Sequence, residues 1–329
     1  MEVTRVTLER SLSELASGVR DPVEGLFGPG STFWEVQRHS VLFAGAARAA
    51  LLQLAHPWVA RAVLEHSAVA HDPIGRFRRT FGWVSPMVFG DLDSAIWSAR
   101  SVHVVHGVVK GSFAEQVGPF PAGTEYRATD LSSTRWVHAT LWDTSVRMYE
   151  EYVRPLSLPE KRSYYVETLR FAALFGLSPR DLPQDWEAFQ TYVRGMYASP
   201  ILTVNEDTRR LGDALLRPRG SLASPALSAY ASWTARWLPP HLREAYGLPY
   251  PSRHAGARAL EGWLRTQRYW PASLRYVPAY HAARARLLGR RRPGLVPSLV
   301  QRVVFGPSRV EASRKTDLRG GGARVAFRR

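Results

Sequence analysis

The sequence predicts an all-α protein. Helix starts recur along the chain as a capping residue followed by proline or an apolar run, and the only hints of strand are short runs such as 108–109 and 324–327. The segment 41–54 is almost wholly apolar, which is typical of a central helix buried on every side. Because no repeat and no long linker divides the chain, a single large helical domain is expected.

The individual helices follow from these local signals. Ser31 succeeds a Gly-Pro-Gly turn and is an N-cap candidate, Pro57 and the pair Asp72-Pro73 start further helices, and Asp91 caps another. Segment 112–125, rich in Gly and Pro, is predicted to be a loop, and 239–297 a set of short Arg-rich helices separated by prolines. The predicted helices cover 33–40, 41–54, 57–66, 73–88, 92–110, 131–153, 157–176, 183–197, 206–216 and 224–237.

Three regions are predicted along the chain. Residues 1–26 are an N-terminal arm or a first short helix, 27–290 form the helical domain, and 291–329 are a basic, partly disordered tail. The net charge is +16, and residues 289–329 alone carry ten Arg and one Lys against two acids, a net +9. The tail is expected to be a solvated arm; binding of nucleic acid or of an anionic membrane is the alternative.

Composition excludes several function classes. The chain of 329 residues has no cysteine, which rules out disulfides, thiolate ligation of haem, cysteine-bound iron–sulfur clusters and thiol catalysis. Any metal or haem ligand must therefore be His, Met, Tyr or a carboxylate. The N-terminus lacks a basic region followed by an apolar run, so we expect a soluble cytoplasmic protein.

Three polar side chains share one face of a predicted helix. Arg76, Arg79 and Thr80 stand at positions i, i+3 and i+4. Two cations and a hydroxyl could donate hydrogen bonds to a bound oxygen species or pair with a haem propionate. The alternative is a surface helix whose arginines reach solvent or a carboxylate, with the threonine bonded to its own backbone.

Two histidines follow about one long helix later. His103 and His106 are three residues apart and share a face, next to several valines and Gly107. A neutral imidazole could bind iron through one nitrogen while the other donates to a carbonyl or carboxylate. The residues by themselves leave both histidines open as the ligand, and a purely structural role is the alternative.

The remaining histidines make a weaker set. A non-haem metal site would need two or three of them together with a carboxylate, and no HExxH or ExxH pair is present. The chain also lacks GxGxxG, P-loop and GxSxG motifs, which disfavours nucleotide-dependent redox, phosphoryl-transfer and hydrolase chemistry. The loose set comprises His56, His66, His71 and His138.

Six short segments of the chain form a recognisable series. They are 51–57 (LLQLAHP), 65–67 (EHS), 72–80 (DPIGRFRRT), 88–90 (VFG), 106–111 (HGVVKG) and 136–140 (WVHAT). Each motif is short, and the specificity lies in their order and spacing. Together they resemble one known family, that of the bacterial latex-clearing (rubber) oxygenases and the fungal MpaB oxygenase. The resemblance covers roughly residues 27–290.

The resemblance implies a globin-like helical arrangement around a b-type haem. It implies that His106 is the axial iron ligand, and it places Arg76 and Thr80 in the Arg-x-x-Lys/Arg-Thr pattern of the family. Arg79 stands where the rubber oxygenases have a lysine, a departure that changes both ligation and hydrogen bonding. The rubber oxygenases also have a carboxylate base on the distal side of the haem, and Glu65 is the candidate for that base in this sequence.

The leading hypothesis is a cytoplasmic haem-dependent oxygenase or oxidase that attacks a small apolar metabolite such as an alkene or an aromatic. Dioxygen would bind opposite His106, with Arg79 and Thr80 polarising it, and His103 and His138 are further candidates for contact with the haem. The alternatives are a haem-free basic protein that binds RNA or an anionic membrane, and a non-haem iron enzyme. The oligomeric state is not predicted.

Overall fold

The computed structural model describes residues 2–67, 72–217, 224–248, 254–290 and 293–306. Helices account for most of these residues, and the expectation of an all-α protein is confirmed. The α-helices are α1 Arg5–Ser17, α2 Thr32–Gln37, α3 Ala46–Leu54, α4 Pro57–His66, α5 Pro73–Phe89, α6 Leu92–Gly107, α7 Leu131–Tyr152, α8 Leu158–Ala173, α9 Trp186–Ala198, α10 Glu206–Leu216, α11 Ser224–Ala235, α12 Pro240–Ala245, α13 Ala255–Arg265, α14 Ala272–Arg275, α15 Pro278–Leu287 and α16 Leu295–Val300.

The start of α5 shows how the sequence sets a helix boundary. The side chain of Asp72 accepts a hydrogen bond of 2.7 Å from the amide of Gly75, and Pro73 occupies the first helical position. A Cβ atom on Gly75 would lie only 1.8 Å from the Asp72 carboxylate, so a glycine lets the cap come this close. Asp91 caps α6 in the same way, through the amide of Ser94.

Two predicted helices end or divide differently in the structure. The apolar run 41–54 was expected to be one helix, but it consists of a 3₁₀-helix, Ser40–Gly45, followed by α3. The helix predicted over 92–110 stops at Gly107, because strand β1, Lys110–Ser112, pairs antiparallel with β2, Glu125–Arg127. Three-residue strands are too short to show a period of two, so the sequence pattern missed them.

Helix α7 lies at the centre of the molecule. It packs against α2, α3, α9 and the 3₁₀-helix, and Trp136, Trp142 and Tyr149 on it are almost completely buried. The indole of Trp136 donates to the carbonyl of Leu52 on α3 at 2.9 Å, which ties the two central helices together. The main hydrophobic core surrounds this pair.

The first and the last described segments both pack against the rest of the protein. Of the first 26 residues, predicted to be an arm or a short helix, α1 contributes Leu8 and Leu12 to the core and packs against α6 and α8. At the other end, α16 and the π-helical turn Gln301–Phe305 pack onto α14, α15 and α5. The rest of the predicted tail, 291–292 and 307–329, lies outside the described residues. No helix among those described is long and apolar enough to cross a membrane.

Candidate functional site

Helices α5 and α6 pack side by side and carry most of the predicted site residues. Arg76 lies near the start of α5, and His103 and His106 lie in the last two turns of α6. A cavity of about 10 Å³ beside the two histidines is also lined by Thr134 of α7 and Phe175. This volume holds about one water molecule.

The imidazole of His106 is half-buried and neutral. Burial is the main cause that lowers its pKa from 6.5 to about 4, and the neighbouring His103 and Arg76 contribute in the same direction. Within the described part of the chain, no residue forms a hydrogen bond with its ring. A lone pair on this ring is therefore available to an electrophile at neutral pH.

His103 lines the same cavity but has different neighbours. Burial lowers its pKa, Arg5 of α1 lowers it further, and Glu9 of α1 opposes these effects. Its electrostatic surroundings are therefore those of α1, whereas His106 is influenced by Arg76 on α5. The structure thereby distinguishes two histidines that the residue pattern treats alike.

A third histidine, His138 on α7, comes close enough to influence this pair. It is 2% exposed, and burial is the main cause that lowers its pKa to about 4, with a smaller contribution in the same direction from the nearby His106. Its Nδ1 lies 2.9 Å from the carbonyl oxygen of Thr134. A carbonyl can only accept, so Nδ1 carries the proton and Nε2 of the neutral ring keeps its lone pair.

Arg76 is a half-buried cation. Its guanidinium donates to the hydroxyl of Ser67, and over the ranges that the structure describes it has no carboxylate partner. Burial lowers its pKa, and the nearby charge of Arg79 adds to this effect. A partly desolvated guanidinium with no anion beside it is suited to bind an anionic group.

Arg79 and Thr80 follow Arg76 along α5, and both are exposed. The Nη1 atom of Arg79 lies 3.1 Å from Oδ2 of Asp72, with 46% and 49% of the two side chains exposed. Arg76, Arg79 and Thr80 thus lie on one helix as predicted. Of these three, only Arg76 is close enough to His106 to lower its pKa.

Glu65 belongs to a separate cluster near the small sheet. Its carboxylate accepts a hydrogen bond from the hydroxyl of Tyr126 and lies 2.5 Å from Nε of Arg61. The ring of His66 is 3.2 Å from the same hydroxyl. Burial raises the pKa of Tyr126, and the hydrogen bond to Glu65 raises it further, so the phenol keeps its proton. Gly111 pairs with Tyr126 across the strands.

The loose histidine set does not form a metal site in the described residues, where no three or more His, Asp or Glu side chains converge. His56 lies against Trp58 and Phe120, and His66 belongs to the Tyr126 cluster. His71 lies outside the described residues.

Among the residues of these clusters that had no role assigned from the sequence are Arg61, Ser67, Gly111, Tyr126 and Thr134. Ser67 and Gly111 stand within the family motifs quoted above, which was the available signal. Tyr126 joins its cluster through a hydrogen bond to Glu65 on helix α4, and Thr134 contacts His138 through its backbone carbonyl. Neither contact has a local sequence signature.

Comparison with known proteins agrees with the motif-based resemblance. Residues 34–269 match the family described as "ER-bound oxygenase mpaB/B'/Rubber oxygenase, catalytic domain". Neither the curated proteins nor the solved structures gave a significant match to the chain. Because the matched region is well over half of the chain, the protein belongs to this oxygenase family and is an oxidoreductase.

Proposed function

We propose that the protein is a haem b-dependent oxygenase or oxidase in which His106 is the protein ligand of the iron. The observation that carries the proposal is the state of this imidazole, which is neutral at pH 7 and free of hydrogen bonds from the described residues. In an oxygenase family, such a ring near a guanidinium that has no carboxylate partner among the described residues is a natural place for a haem.

The chemistry of the donor set fits this cofactor. A porphyrin supplies four nitrogen ligands itself, so one accessible imidazole is sufficient from the protein. Arg76 is the candidate partner for a propionate, because it is half-buried and without a carboxylate among the described residues. The cavity of about 10 Å³ is far smaller than a macrocycle, so its walls must separate on binding.

His138 and His103 have supporting roles in this proposal. The lone pair on Nε2 of His138 is directed by the bond from Nδ1 to Thr134, which makes this ring the second candidate to contact the cofactor. His103 lies beside α1, and we propose that it contributes to the wall of the site.

Bound haem would supply the activation of dioxygen. Arg79 and Thr80 stand one turn beyond Arg76, and we propose that they donate hydrogen bonds to the oxygen. For this, Arg79 must exchange its contact with Asp72. Both partners of that pair are about half exposed, and solvent screens their attraction, so the contact is easily lost.

Two further parts of the proposal concern the base and the substrate. We propose that Glu65 is the base and that the substrate is a small apolar molecule. The carboxylate of Glu65 is held by Tyr126 and Arg61, which fixes its position. The walls near His106 include Ala99, Val102 and Phe175, which cannot hydrogen-bond to a ligand. An alkene or an aromatic would suit such a surface.

The test is an absorption spectrum of the purified protein, with and without added haemin. We expect a Soret band in the wild type and its loss in His106→Ala. His281→Ala serves as the control, because His281 lies on α15 and bonds to the carbonyl of Ala272. A wild-type protein that takes up no haemin, or a His106→Ala variant that binds it equally well, would refute the proposal.

A further inference from the structure

The C-terminal helical segment exposes a row of large apolar side chains. Leu295 is 91% exposed, Leu299 63% and Val303 60%, and Val296 beside them is 47% exposed. Residues 295, 299 and 303 are four apart, so they lie along one side of the segment. We call these four side chains the C-terminal face. Apolar groups clustered on a surface in this way indicate a contact with something other than water.

The opposite side of the same segment is anchored to the protein. Pro297 is buried, and α16 packs against α14 and α15. Arg78 of α5 donates to the carbonyls of Val303 at 2.6 Å and Val304 at 3.1 Å. The ring of Phe305 lies 5.3 Å from that of Phe43, among phenylalanines of α5. The C-terminal face is therefore held on a folded support.

The stretch of sequence that contains this face carries charge of one sign. From residue 262 to residue 310 the sequence contains ten arginines and no Asp or Glu. Arg284, Arg290 and Arg302 are exposed, and the structure gives them no carboxylate partner among its described residues. Arg302 lies within the segment, next to Val303. Exposed apolar side chains on a segment that carries Arg302 and follows an arginine-rich stretch of the chain are complementary to an anionic lipid surface.

We propose that the C-terminal face docks on an anionic membrane surface, with its apolar side chains in the interface and the arginines against lipid phosphates. A nucleic acid would use the arginines but would leave Leu295 and Leu299 in water, so the apolar row favours lipid. This interaction goes beyond the proposed oxygenase chemistry and does not depend on haem.

The experiment is flotation of the full chain with vesicles of phosphatidylcholine alone and with vesicles that also contain phosphatidylglycerol. We expect binding to the anionic vesicles only, weakened by salt. The double variant Leu295→Ser/Leu299→Ser should bind at least tenfold more weakly, since two exposed apolar anchors are lost. Arg302→Gln should weaken binding roughly fivefold.

A matched control uses two side chains of similar exposure on α8, Leu158 at 47% and Val166 at 61%. Leu158→Ser/Val166→Ser should bind anionic vesicles as the wild type does. Unchanged vesicle binding by Leu295→Ser/Leu299→Ser would assign binding to the arginines alone and overturn the proposal. So would the absence of vesicle binding, whether or not the chain binds a single-stranded RNA oligonucleotide.

Discussion

The guanidinium of Arg48 on α3 lies 2.6 Å from the carboxylate of Asp143 on α7, and the two side chains are 1% and 3% exposed. The same carboxylate oxygen accepts hydrogen bonds from Tyr197 of α9 and from Arg147. Burial alone would raise the pKa of Asp143, but the two arginines lower it below its usual value. One carboxylate thus joins three helices around the core.

Asp143→Asn should strongly destabilise the protein. The substitution leaves Arg48 buried without a negative charge, and breaking a buried ion pair in this way costs about 3–5 kcal/mol. The free energy of unfolding from urea denaturation measures the loss. As a control, Asp213→Asn removes a pair with Arg217 in which both side chains are about half exposed, and should cost less than about 1 kcal/mol. Equal losses in the two variants would contradict the structural role of Asp143.

This ion pair also shows where prediction from the sequence stops. Arg48 interrupts an apolar run, and its partner stands far away in the chain, so no local pattern connects them. The helix starts at Asp72 and Asp91 were predicted correctly because a cap depends on residues within one turn. Nonlocal contacts depend on the packing of the whole chain.

In the candidate site, too, local features were predicted from the sequence and nonlocal contacts were not. The sequence grouped His103 with His106 by spacing, and only the packing of α1 and α5 gives them different neighbours. The contact between Arg76 and Ser67 crosses the connection between α4 and α5, so the sequence could not predict it.

The stability of the protein should fall in mild acid. The ring of His56 is 4% exposed, and burial lowers its pKa to about 4 from the usual 6.5. The unfolded chain therefore binds more protons than the folded chain between pH 6.5 and pH 4, so stability decreases as the pH falls through this window. His138 acts in the same direction, because its pKa is also lowered to about 4.

His56→Leu should make the stability of the protein less dependent on pH. Leucine is apolar and of similar size, and it replaces a buried imidazole that, in this pH window, is protonated mainly in the unfolded chain. Between pH 7 and pH 4.5 the variant should lose roughly 2 kcal/mol less stability than the wild type, in urea denaturation at a series of pH values. The exposed His241, replaced by Leu, serves as the control and should follow the wild type. Parallel curves for His56→Leu and the wild type would show that burial of His56 is not the cause.

Gly111→Ala should disturb the Tyr126 cluster. A Cβ at residue 111 would lie 2.6 Å from the Tyr126 hydroxyl oxygen and 2.9 Å from Oε2 of Glu65, so the tyrosine must move away from its partner. We expect a loss of about 1–3 kcal/mol in thermal or urea unfolding. Gly195→Ala, on α9 with open space around the added methyl, should be neutral or slightly stabilising. A Gly111→Ala protein as stable as the wild type would mean that the cluster adapts freely.

Substitution of the two arginines of α5 should separate cofactor binding from oxygen chemistry. Arg76 is half-buried without a carboxylate partner among the described residues, so Arg76→Gln should weaken haemin binding tenfold or more, as expected when a charge-assisted contact of about 1.5–3 kcal/mol is lost. Arg79 is exposed and paired with Asp72, so Arg79→Gln should leave haemin affinity unchanged within about twofold and lower dioxygen consumption instead.

Haemin titration followed at the Soret band measures the affinity for the cofactor, and an oxygen electrode measures the consumption of dioxygen. If Arg79→Gln lost haemin while Arg76→Gln kept it, the roles of the two arginines would be the reverse of those proposed, and the electrostatic contact between Arg76 and His106 would have no part in holding the cofactor.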